Sequence, residues 1–174
     1  METTQATFAV KLPGDVPVCI FALITCGRSP TLPVGGQWIG DTGWWQRDPT
    51  TPNVEAALRK AFPPGQPQPV SWRRINPGVI PIDASYRNAW IDDGAVITHD
   101  MPKARELYRD KLRSLRERML TDLDGQWMKA VGQGDIAAQA AVEKERQKWR
   151  DAPADPRIDA ATTVDELKAI VISV

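Results

Sequence analysis

The chain has 174 residues, 42% hydrophobic and 25% charged, which is the size and make-up of one ordinary globular domain with room for an appendage. Lys+Arg and Asp+Glu stand at 22 each, so there is no overall field to recruit nucleic acid or an anionic membrane. The longest apolar run, Val16 to Cys26, is about half of what crosses a bilayer, and Glu2, with no Lys or Arg before Lys11, argues against a secretory signal. A cytoplasmic protein without membrane contact is the expectation.

Composition divides the chain. Residues 1–80 hold eleven of the fifteen prolines and four of the seven tryptophans, whereas residues 101–151 are rich in Ala, Arg and Glu. The first part reads as strand, turn and loop, and the second as helix. Ala6–Leu12 and Val16–Thr25 have strand composition and flank a Pro13-Gly14-Asp15 turn, with Pro17 holding its strand start at an edge. Cys19 and Cys26 would lie too far apart on one strand to bridge, so both are expected as free, small buried hydrophobes in a reducing compartment. Gly27–Asp48, with its glycines and three tryptophans, reads as an irregular loop region. Asn53 is a plausible cap for a short helix over 54–62, ended by Pro63-Pro64. Val70–Ile75 alternates like a half-buried strand. Trp90-Ile91 and Ala95–Thr98 around Asp92-Asp93-Gly94 read as a hairpin.

Further on, Asp100 caps a helix predicted over 101–131, with Pro102 in its first turn. Tyr108, Leu112, Leu115, Met119, Leu123 and Trp127 draw one apolar stripe along it. Gly132-Gln133-Gly134 breaks the helix and Asp135 caps a second one over 136–150, offering Ile136, Ala140, Val142 and Trp149 to an antiparallel pairing. Thr163 and Glu166 form a capping box for a last helix over 164–170. The fold class is therefore α+β: a Trp- and Pro-rich, β-containing region over 1–80, then a hairpin, a long antiparallel helical hairpin and a short C-terminal helix over 81–174.

The chemistry-bearing residues are sparse. His99 is the only histidine and has no nucleophile motif beside it, so it reads as a surface or hinge residue. Asp92 and Asp93 suit a turn better than a carboxylate pair, and Asp122 and Asp124 do not share a helix face. Gly35-Gly36-x-x-x-Gly40-x-x-Gly43 lacks the Gly-Lys-Ser/Thr ending of a phosphate loop. No catalytic, cofactor-binding or metal-ligating residue is expected. Lys103–Arg118 carries seven basic residues against three acidic ones; it reads as a solvated helix face or a protein-partner surface, with nucleic-acid binding through this basic helix as the alternative. Trp38, Trp44 and Trp45 sit among Gly and Pro, where they either close a small core or dock a partner. The tentative partner-binding set is Trp38, Trp44, Trp45, Arg109, Arg113, Arg116, Arg146 and Arg150.

R-E-R-M-L-T-D-L-D, Arg116 to Asp124, and R-Q-K-W-R-D-A-P, Arg146 to Pro153, match the two helices of a known pattern, R-x-x-x-L-x-x-x-D with R-Q-x-x-R-D-x-P. In these residues the chain resembles the phage tail assembly chaperone family. Ile80–Trp90 (I-P-I-D-A-S-Y-R-N-A-W) and D-M-P-K-A-R from Asp100 are similar to uncharacterised phage and prophage proteins, and the whole resemblance spans about residues 70–172. It implies a non-enzymatic phage or prophage protein that binds tail or tail-fibre components, or a further copy of itself, as assembly factor or virion part. It also implies a place in the host cytoplasm or in the finished virion, and no cofactor. Arg146, Arg150 and Asp151 near the end of the second helix are expected to bridge back to Asp122 or Asp124 on the first.

Overall fold

The computed structural model describes residues 2–33, 35–41 and 44–172, and the fold is α+β. The chain divides between Thr98 and His99 into two compact units.

In the N-terminal unit five strands form one sheet among the described residues: β1 (Thr4–Lys11), β2 (Cys19–Arg28), β3 (Gln37–Trp38), β4 (Trp44–Gln46) and β5 (Ser71–Ile75), in the order β3-β4-β2-β1-β5. Every pairing is antiparallel. β1 lies between β2 and β5, and its residues Ala6 to Val10 are buried without a break because both faces of the sheet are covered there. On one face Ala6, Phe8 and Val10 pack with Leu23 against Val54 and Leu58 of α1 (Thr51–Ala61). Phe8 meets Trp72 edge-on, with ring centres 5.6 Å apart. On the other face Ala9 and Ile75 pack against Val18, Trp90 and Ile97.

Trp90 and Ile97 belong to a two-stranded hairpin, β6 (Trp90–Asp92) and β7 (Ile97–His99). Its turn is made by side chains: Asp92 Oδ1 accepts from the Gly94 amide, and Asp93 Oδ1 from those of Ala95 and Val96. The Val18 amide donates to the Trp90 carbonyl at 3.0 Å. This burial moves the division of the chain from residue 80 to the Thr98–His99 link, because the hairpin's apolar residues complete the sheet's second face. A 3₁₀ turn at Pro77–Val79 and two more over Ala84–Ala89, joined across a kink at Tyr86, lead into it and are capped by Asn76 and Asp83.

Two local expectations are corrected. Gly27–Asp48 is not wholly irregular: β2 runs to Arg28, and β3 and β4 pair beyond it. Gly27 lies directly opposite Trp45, and a Cβ there would come within 3.3 Å of the indole, so glycine makes room for a buried tryptophan on the sheet. Asn53 does not cap α1. Thr50 holds that position without a side-chain bond, Pro52 occupies the first turn, and Asn53 Nδ2 donates to the Asp48 carbonyl at 2.9 Å.

In the C-terminal unit α2 (Met101–Gln133) starts on Asp100, whose Oδ1 accepts from the Lys103 amide. It ends at Gly134, where φ of +66° permits the paired bonds Asp135 N to Ala130 O and Gly134 N to Val131 O that close a helix end. The break is thus at Gly134 alone, and Gly132 remains helical. Asp135 then caps α3 (Ile136–Asp151) through the Ala138 amide. Leu123 packs with Trp149 and Ala152, supported by Met119, Leu120 and Val142.

The inward row of α2 departs from the expected stripe. Leu115 is 36% exposed, and the half-buried residue one step on is Arg116. From Leu112 a step of four residues keeps to the buried line better than a step of three. On α3, Ile136 and Ala140 are exposed, because the inward line runs through Val142, Arg146 and Trp149. The N-terminal half of α2 has a different cover. Tyr108 donates its hydroxyl to the Ile170 carbonyl at 2.7 Å, and Arg105 reaches the Ala161 carbonyl at 2.8 Å. These lie around α4 (Pro156–Ala160), which was not anticipated, and α5 (Val164–Ala169), whose Ile158 and Leu167 are fully buried. Thr163 caps α5 as expected, and the Glu166 carboxylate reaches back to the backbone of Thr163 and, more strongly, to the amide and hydroxyl of Thr162.

Candidate partner-binding surfaces

The tryptophans expected to act together lie on one short strand pair and face different surroundings. Trp38 pairs with Trp45 across β3 and β4. As direct partners Trp38 and Trp45 share one face of the sheet, but Trp38, on the edge strand β3, is 44% exposed, whereas Trp45, one strand further in, is buried; alternation puts Trp44 on the other face, half-buried opposite Arg28. The Arg47 guanidinium stands 5.3 Å from the centre of the Trp45 ring, and its Nε donates to the Ile24 carbonyl at 2.8 Å. Trp45 therefore closes core, and of the three Trp38 is the most open to a partner. Gly43 of the glycine pattern lies outside the described residues, and Gly35, Gly36 and Gly40 fall in turns beside β3.

Beside Trp45 lies a groove of about 710 Å³ that sequence reading missed. Its floor is Phe21 and Leu23 of β2 with Trp45, and its far wall is one flank of α1, Ala57 and Ala61, with Lys60 at the rim. Phe21 and Leu23 alternate with exposed Ala22, and the small residues at Ala56, Ala57 and Ala61 give α1 a flank too thin to fill the space. That pairing of a strand pattern with a small-residue helix flank was the available signal.

In the C-terminal unit the arginines divide by what they hold. Arg109 bonds both Glu106 and Asp159 at 2.5 Å, and the two carboxylates raise its pKa further. Arg113 bonds Asp110 at 2.5 Å on the surface, and Arg116 is half-buried in the inward row. Arg105 and Arg109 are thus committed to segments of their own unit, which weakens the basic helix as a phosphate track. Arg146 bonds Asp124 of α2 and, at 3.1 Å, Glu143 of its own helix, and its guanidinium stands 5.3 Å from the Trp127 ring centre. Arg150 stays within α3, on Glu143 at 2.7 Å, and Asp151 accepts from Gln147. Arg150 and Arg146 together hold the Glu143 carboxyl below its ordinary pKa. Of the bridges expected between the helices, Arg146 to Asp124 is present, whereas Arg150 and Asp151 bond within α3.

At the turn of this hairpin Met128, Val131 and Ile136 are all exposed, Ile136 to 79%. They make an apolar tip. His99 is the half-buried end of β7, and both cysteines are free. Among the described residues no group of His, Cys, Asp or Glu is arranged to hold a metal ion, and no helix is long and apolar enough to cross a membrane. The chain matches no protein-family model, and neither a curated protein nor a solved structure shows significant similarity to it.

Proposed function

We propose that this chain is a non-enzymatic phage or prophage protein that binds tail or tail-fibre components, as an assembly factor or as part of the virion. One observation carries the reading most directly. Arg116-x-x-x-Leu120-x-x-x-Asp124 and Arg146-Gln-x-x-Arg150-Asp-x-Pro, which resemble the two helices of tail assembly chaperones, lie on the two arms of one hairpin, and Asp124 of the first meets Arg146 of the second. Leu120 packs on the same cluster as Trp149. The paired motif thus has a physical role: it sets the register of the hairpin. What the hairpin then offers a partner is its tip, where Met128, Val131 and Ile136 are left in solvent at a cost that association would recover.

The nucleic-acid reading of Lys103–Arg118 is the weaker one, since Arg109 and Arg113 are held by carboxylates. The test is co-expression with the tail-fibre protein of the same phage or prophage, followed by size-exclusion chromatography. A shared peak supports the proposal, and separate elution at micromolar concentration contradicts it.

A further inference from the structure

The groove beside Trp45 is bounded by something more specific than apolar side chains. Along one side β2 pairs with β1 from Cys19 onward, but along the other it pairs with β4 only at Cys26 to Arg28. The lane that β4 occupies is then abandoned. The Arg47 amide donates to the Thr25 carbonyl and its Nε to the Ile24 carbonyl, after which Asp48 and Pro49 carry the chain away towards α1. Among the described residues no strand continues that lane. With the Ile24 carbonyl directed outward, strand alternation directs the backbone N–H and C=O groups of Ala22 and Ile20 to the same open side. An unpaired edge of this kind is a template for another strand.

The adjoining surface states what that strand should carry. Phe21, Leu23, Trp45 and Ala57 offer an apolar slot, and among the described residues the two ionisable groups lining it, Arg47 and Lys60, are cationic and no carboxylate lines it. We propose that this groove docks an extended, acid-bearing segment of another protein. The segment adds as a strand to the open edge of β2 in line with β4, lowers an apolar side chain between Trp45 and Ala57, and sets a carboxylate against Lys60 and Arg47. The proposal stands on the N-terminal unit alone and does not depend on the hairpin reading.

The probe is a displayed library of random heptapeptides selected on the immobilised full chain. The expected result is enrichment of sequences that alternate apolar residues and include Asp or Glu. Their affinity should fall at least about tenfold in Ala22→Pro, which removes one outward amide at an edge position that tolerates proline, and also in Lys60→Glu. Ala61→Trp, which fills the slot from an exposed helix position, should abolish binding, and it serves as the test should Ala22→Pro fail to fold. The proposal is overturned if no sequence is enriched, if the enriched sequences lack acids, or if they bind Ala61→Trp as well as the parent. It is also overturned if sedimentation shows a dimer that Ala61→Trp dissolves, since the groove would then belong to a second copy of this chain.

Discussion

Arg146 of α3 bonds Asp124 of α2 while its guanidinium lies over the ring of Trp127, so one side chain ties the two arms of the hairpin by charge and by stacking. Only 15% of the Arg146 side chain is exposed, against 46% for Arg150, whose carboxylate partner is on its own helix. An ion pair within a helix at the surface is worth little, whereas one that fixes two helices and covers an aromatic face adds packing to charge. Arg146→Ala should therefore lower the thermal midpoint of unfolding, followed by circular dichroism, clearly more than Arg150→Ala. A double-mutant cycle with Asp124→Ala should show favourable coupling. Equal effects of the two arginine substitutions would contradict this account of the hairpin.

Leu123 and Leu115 make a sharper pair, because both belong to the stripe that sequence spacing draws and only one is buried. Leu123→Ala removes a side chain packed on Trp149 and Ala152 and should cost about 2–5 kcal/mol in denaturant unfolding. Leu115→Ala should cost no more than about 0.5 kcal/mol. A cost at Leu115 comparable to that at Leu123 would show that the stripe is covered as a whole.

These leucines also show what the sequence could and could not yield. Three helix starts were legible from their capping side chains: Asp100, Asp135 and Thr163 accept the expected amide bonds, because the signal is local, whereas Asp155 caps the five-residue α4 in the same way and too little helix follows it to read. Asn53 failed as a cap since Pro52 already starts the helix at Thr51. Which of Leu115 and Arg116 turns inward was not legible, because steps of three and of four both fit a helix and hydrophobicity favours the leucine; α4 was missed because its short sequence carries almost no periodicity. The strands β3 and β4 were missed for the same reason: two- and three-residue strands have no alternation to read, and the clue was Gly27 opposite Trp45 across the sheet. Arg146 makes the expected bridge to Asp124, whereas Trp45 of the same set is core and the groove beside it was not foreseen.

Gly35 has a φ of +75°, and a Cβ built on it would fall 1.8 Å from Asn53 Oδ1. Gly35→Ala is thus strained in its backbone and displaces the side chain that bonds the Asp48 carbonyl. It should destabilise the N-terminal unit by about 1–3 kcal/mol, with faster amide exchange in the first turn of α1. Unchanged stability would mean that the Asn53 contact has no structural weight.

Arg73 on β5 grips Asp92 on β6 with Nε–Oδ2 at 2.7 Å and a second bond at 2.5 Å, and this guanidinium, with the Gly94 amide, holds the Asp92 carboxyl below its ordinary pKa. A carboxyl depressed in the folded state lends stability that is complete above the unfolded pKa, near about 4, and is lost as pH falls through the lower folded value. Asp92→Asn should therefore be less stable than the parent by a constant margin from neutral pH down to about pH 4–5, and the margin should shrink below that. Urea unfolding from pH 7 to pH 3 measures it. A margin that does not change across this range would show that the pair contributes nothing through charge.

The central claim is that the hairpin tip binds a tail component, and the most direct measurement is co-elution of the purified chain with the tail-fibre protein, parent against Met128→Asp/Ile136→Asp. Both side chains are exposed, so the variant should keep the parent's thermal midpoint. The account predicts a shared peak for the parent and two separate peaks for the variant. A parent that elutes apart from the fibre protein, or a variant that still co-elutes with it, contradicts the account.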